Sequence, residues 1–113
     1  MRSVLRSKIH RATVTGGDVS YVGSIAIDRD LIDRSGLWIG EKVLVVSNTS
    51  GARLETYVLE APALSGVIEM RGAAALAVGA GEEIIVMGFE IVDEPLEPTV
   101  ILVDEKNRFV RRL

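Results

Sequence analysis

Cysteine is absent from this 113-residue chain. Its absence excludes disulfides, thiolate catalysis and cysteine-held metal. There is one histidine, His10, which cannot build a multi-histidine metal site. Aromatic residues are only 4% of the chain, too few for a stacking platform that holds single-stranded nucleic acid. The net charge of −3 and isoelectric point near 5.1 also count against a general nucleic-acid binder. Long apolar runs are missing. The stretch Ile84 to Phe89 is far too short to span a bilayer, so no membrane partner is expected. The N-terminus is basic, but no apolar segment of signal-peptide type follows it, which makes the cytoplasm the default location.

What is present is apolar. Hydrophobic residues reach 48% and the mean hydropathy is +0.30. That surplus reads as apolar surface buried between subunits. A chain of this size makes one domain, 1–113, and can build a core without staples. Arg2, Arg6, Lys8, His10 and Arg11 crowd the first strand-like segment, while acidic residues dominate later. A basic cluster in an acidic protein suits a small anionic ligand. It equally suits solvated charges that discourage pairing along an edge strand.

Few segments have helical period. Glu41–Asn48, Arg53–Glu60, Gly66–Met70, Glu82–Val92 and Pro98–Glu105 read as strands. The alternation in Arg53–Glu60 puts Arg53, Glu55 and Tyr57 on one face and Leu54, Thr56 and Val58 on the other. Gly16-Gly17 reads as a turn, and Gly51 is expected at positive φ in the turn after Ser47. Two helices are expected. One follows Asp28 as N-cap and ends at Gly36; the other is the alanine-rich turn between Gly72 and Gly79. The charged tail Glu105–Leu113 is expected to be loosely held. Many short strands with turn signals between them indicate a mainly β domain, a small barrel or sandwich.

The stretch Ser20–Asp28, SYVGSIAID, reads as extended chain interrupted by Gly23-Ser24. Glycine weakens a strand interior, so its place there calls for a reason. A serine Oγ lies beside the preceding carbonyl and can attack it if the backbone is held in an unusual conformation. The amide becomes an ester by an N→O acyl shift. Elimination then breaks the chain, and the resulting dehydroalanine loses ammonia by hydrolysis to leave a pyruvoyl ketone. Glycine before the serine tolerates strain and leaves the attack unobstructed. The step needs donors aimed at the developing oxyanion. As a bare dipeptide, Gly-Ser is more often a turn or a bulge.

The segments LRSKIHRATVT, YVGSIAID, GARLETY and RGAAA occur in an order and spacing similar to those of the pyruvoyl-dependent aspartate 1-decarboxylases. The resemblance covers most of the chain. It implies a six-stranded double-psi β barrel with short helices, self-cleavage between Gly23 and Ser24, and a homotetramer with its site where subunits meet. It further implies conversion of L-aspartate to β-alanine for pantothenate synthesis. A pyruvoyl group made from Ser24 would be the cofactor; it forms a Schiff base with the substrate amine and acts as the electron sink. Lys8 and Arg53 are the natural cations for the two substrate carboxylates. Tyr57 is the expected proton donor. The resemblance gives Thr56 a role in self-cleavage and at the substrate, His10 a supporting role, and Gly72, Ala73 and Ala74 a place at the substrate through backbone N–H groups. Thr56 and Tyr57 are neighbours that face opposite ways on a strand, so one is expected to reach the Gly23 carbonyl and the other the substrate, with a local distortion of the strand allowing both. Some members need an accessory protein to cleave, and nothing in the sequence identifies one.

The chain departs from the family pattern at two positions. Arg71 stands where an asparagine usually precedes Gly-Ala-Ala, and Val46 stands where a tryptophan is common. Two other readings keep the fold without the chemistry: a β-barrel binding module, and a degenerate relative that does not self-process.

Overall fold

The β-branched and alternating runs become strands because each has a face to bury. The computed structural model describes residues 1–113. In chain order the elements are β1 (Arg2–Thr13), β2 (Gly16–Asp18), β3 (Ser24–Asp28), α1 (Arg29–Ser35), β4 (Lys42–Ser47), β5 (Arg53–Ala61), β6 (Ile68–Arg71), α2 (Ala74–Ala77), β7 (Glu83–Val92), β8 (Thr99–Val103) and β9 (Phe109–Arg112). The fold is mainly β, as expected, and no helix is long and apolar enough to cross a membrane.

The nine strands hydrogen-bond in the order β2-β6-β3-β5-β4-β7-β1-β8-β9. The sheet is strongly curled. Thr15, just past the end of β1, donates its backbone N–H to the Ile68 carbonyl of β6 at 2.8 Å, although β1 and β6 stand far apart in the strand order. The strands from β6 through β1 therefore wrap around a core of 18 buried residues, among them Ile9, Ile25, Ile27, Val45, Val86 and Ile101. Six strands were expected; β2, β8 and β9, which lie outside this run in the order, raise the total to nine. Four times, two consecutive strands flank a third: β2 and β3 flank β6, β5 and β6 flank β3, β3 and β4 flank β5, and β7 and β8 flank β1. In the first case the chain between β2 and β3 must arch across the end of β6.

Both helices form where expected. Asp28 caps α1 by accepting from the Asp30 N–H, and Gly36 closes it at φ 77°. Gly51 turns at φ 79°. Four local readings change. Gly16-Gly17 is not a turn but lies in β2, held by pairing with β6. Ser20–Val22 is not extended; Asp18 Oδ1 accepts from the Ser20 N–H at 2.9 Å and its hydroxyl at 2.6 Å, which bends the chain. The C-terminal tail is not loose, because Phe109–Arg112 pairs with β8. Finally, the basic β1 is not an edge strand; β7 and β8 flank it. Its charges are not there to block edge pairing.

Candidate active site

The site begins where β3 and β5 fail to meet. Their parallel pairing starts at Ile25 opposite Val58 and runs toward Asp28. Before that point β5 is paired only with β4, from Arg53 opposite Val46 to Tyr57 opposite Lys42. The other edge of β5 is open over these residues. Gly23 and α2 border the opening, and the result is a cleft of about 410 Å³ lined by Gly23, Leu54, Glu55, Thr56, Tyr57, Ala73, Ala74 and Ala77. Thr56 and Tyr57 both reach it because it faces the strand's edge rather than one of its faces. The expected distortion of β5 is not needed: the β4–β5 register has no shift.

Ser24 opens β3 and is fully buried. Its Oγ has no hydrogen-bond partner. A buried hydroxyl without a partner costs about 1–3 kcal/mol of desolvation, so such groups are rare and call for an explanation. A hydroxyl with both lone pairs free, adjacent to the Gly23 carbonyl and walled off from water, is chemically available for the acyl shift. That arrangement also fits the group expected at residue 24.

Gly72 has a reason to be glycine beyond the turn it makes at φ 65°. A Cβ there would stand 2.5 Å from Gly23 Cα, 2.6 Å from Gly23 N and 2.8 Å from the Tyr21 carbonyl oxygen. The backbone of Gly72 is pressed against Gly23 and the segment before it. Its N–H donates to the Asp18 carbonyl at 2.8 Å, so Gly72 is bonded to one end of the arch and packed against the other. It lies behind the cleft, while Ala73 and Ala74 line it. The helix α2 is a single turn without a side-chain cap, and the Ala75 and Leu76 N–H groups are already bonded to the Gly72 and Ala73 carbonyls.

The cations stand elsewhere. Arg53 is exposed at the far end of β5 and does not line the cleft. Lys8 lies on β1, in the cross-strand row Lys8–Met87–Leu44–Glu55. Three strand spacings separate it from β5, roughly 14 Å. Both cations share the outer face of the wall with Glu55 and Tyr57, because residues paired across a sheet point to the same side. His10 also sits on β1, in the bulge between Ile9 and Ala12 where Arg11 takes φ 65°. Burial, aided by the Lys8 and Arg11 cations and opposed by Glu83, holds its imidazole below the ordinary value of 6.5. Its Nδ1 is shut from solvent and has no partner. Sequence reasoning missed Glu55, which lines the cleft and pairs with Lys42 at 2.6 Å. It also missed the contact of Tyr21, whose ring lies under the Arg71 guanidinium at 5.0 Å. Glu55 had a signal, the alternation that sets it on the face of Tyr57; Tyr21 had none, since its contact follows from chain crossing.

Comparison with known proteins places the chain in a family. Residues 1–110 match the family described as aspartate decarboxylase. A protein of Chloroherpeton thalassium named aspartate 1-decarboxylase is 48% identical over 109 residues, covering 93% of this chain and 80% of that one. One of Trichormus variabilis with the same name is 48% identical over 111 residues, with 95% and 87% covered. One of Neisseria meningitidis serogroup C, again of that name, is 46% identical over 111 residues, with the same coverage.

Proposed function

Because the chain belongs to the aspartate decarboxylase family, we propose that it converts L-aspartate to β-alanine and CO2, with a pyruvoyl group made from its own Ser24. The product would serve pantothenate and coenzyme A synthesis in the cytoplasm. The observation that carries the reading is the fully buried, unpartnered Oγ of Ser24 beside Gly23 at the rim of the cleft.

Self-cleavage starts when the Ser24 Oγ adds to the Gly23 carbonyl carbon and the peptide nitrogen leaves as an amine, giving an ester. Thr56 lines the same cleft as Gly23, and its hydroxyl is the donor for the oxyanion that develops there. Loss of the Ser24 Cα proton then expels the Gly23 carboxylate from Cβ. Water hydrolyses the dehydroalanine left behind, and ammonia departs. The ketone so formed supplies the electron sink for loss of the α-carboxylate. Tyr57 sits in the same cleft and delivers the proton that replaces CO2. Ala73 and Ala74 shape the wall opposite β5.

Aspartate carries two carboxylates, yet the cleft of one chain is lined by Glu55 and by no cation. Lys8 and Arg53 lie on the outer face, which is where a neighbouring copy would dock. We infer that the site is completed in a homotetramer, in which these cations meet the cleft. The reading is tested by supplying L-aspartate to the purified protein and to Ser24→Ala, and following β-alanine by chromatography. Turnover by the wild type and none by Ser24→Ala supports it; equal turnover by both would remove Ser24 from the chemistry.

A further inference from the structure

The segment Val19–Gly23 arches over β6. Arg71, the last residue of β6, is the cross-strand partner of Asp18 on one side and of Ser24 on the other. The arch therefore starts and ends beside Arg71. Gly72 forms its floor, in contact with Gly23 and with the Tyr21 carbonyl. The arch residues Val19, Ser20, Tyr21 and Val22 are exposed, so little apolar packing holds them. The Arg71 side chain is half-buried. Its Nε donates to Glu69 Oε1 at 3.3 Å, which fixes the guanidinium, and the guanidinium stacks on the Tyr21 ring at 5.0 Å. Tyr21 is two residues from the bond to be cut.

We propose that Arg71 and Tyr21 form a clamp that holds the arch in the conformation required for self-cleavage, making both of them positioning residues for attack by Ser24. The proposal rests on the self-cleavage reading above. The unusual backbone conformation that the acyl shift needs persists only where its surroundings over-determine it. From below, Gly72 leaves the arch no room to sink. From its crown, the Arg71–Tyr21 stack keeps it from lifting, and Glu69 anchors the stack to β6. Arg71 is not among the residues that line the cleft, so the clamp serves the making of the ketone and not its use. A cation–π contact at such a half-exposed place is worth enough to change the cleavage rate roughly 3- to 30-fold.

The test is a time course of chain cleavage by denaturing mass spectrometry, with the thermal midpoint of each variant recorded alongside. Arg71→Met and Tyr21→Leu should each slow cleavage roughly 3- to 30-fold while remaining folded. Tyr21→Phe keeps the ring and should cleave at the wild-type rate. The double variant Arg71→Met with Tyr21→Leu should be no slower than either single one, because the two act as a unit. Turnover per cleaved chain should be unchanged in every variant, which a general structural defect would not allow. Wild-type cleavage rates in folded Arg71→Met and Tyr21→Leu would overturn the clamp and leave self-cleavage standing. Additive slowing would overturn it too. A wild-type chain that is never cut between Gly23 and Ser24 would instead overturn the self-cleavage reading, and the clamp with it.

Discussion

Ser24, Gly72, Thr56 and Tyr57 each make one demand that a single substitution can isolate. Ser24→Ala removes the proposed nucleophile from a buried position without disturbing packing. It should give a folded, uncut chain, visible as one mass where the wild type gives two. Gly72→Ala puts a methyl group into the backbone of Gly23, 2.5 Å from its Cα, at a φ that alanine rarely adopts. It should displace the scissile segment and block or greatly slow cleavage, by the same mass measurement; normal cleavage would show that the close approach is not required. Thr56→Ala should also slow cleavage. Tyr57→Phe should cleave normally and then lose about 10²–10⁴ in turnover, for want of a proton donor, as read by β-alanine formation. Gly23-Ser24, Thr56 and Tyr57 were named from the sequence through the family pattern they fit, and the structure sets Gly23, Thr56 and Tyr57 around one cleft. The reason for Gly72 was not legible: it lies in the crossing of chain segments about fifty residues apart, and the sequence alone does not report such a crossing.

Among the elements, α1 was the most legible, since Asp28 and Gly36 are side-chain and backbone signals at its two ends. Asp28 does more than cap. Its buried carboxylate also accepts from the Leu64 N–H at Oδ1 and the Gly66 N–H at Oδ2, both at 2.9 Å, tying the loop before β6 to the start of the helix. Asp28→Ala would strand those donors and should cost about 2–4 kcal/mol, seen as a clearly lowered thermal midpoint. The strands β2 and β9 were not legible. Each is short, has no clear alternation, and exists because a partner strand offers hydrogen bonds. The turns around β7 carry an acid sensitivity. Glu82 accepts from the Gly79 N–H first and from the Ser47 and Ser50 hydroxyls next, which lowers it below its ordinary value of 4.5. Its folded form thus holds its proton less tightly than the unfolded form. The stability this contributes is complete above pH 4.5 and is lost as the pH falls from there through the lowered folded value. A denaturant series across that window should show stability falling, and Glu82→Gln should flatten the fall.

At the scale of the whole molecule, the apolar surplus now has places. Trp38 is 77% exposed, Leu76 76% and Ile91 68%, more large apolar side chain than a solitary domain of this size usually leaves in water. Assembly is the physical remedy. Light scattering should give about four times the chain mass of 12.2 kDa. If the cations reach the cleft only in that assembly, Arg53→Ala and Lys8→Ala should each lower kcat/KM for aspartate roughly ten- to a hundredfold, and leave cleavage intact. The proposed turnover depends on one event, the proposed cutting of the chain at Gly23-Ser24. The most direct measurement is denaturing mass spectrometry of the purified wild-type protein, followed by Edman sequencing of what it contains. Two pieces, residues 1–23 and 24–113, are expected, with the larger resisting Edman degradation because its first residue no longer has an amine. A single chain of 12.2 kDa that stays whole on prolonged incubation would contradict the account.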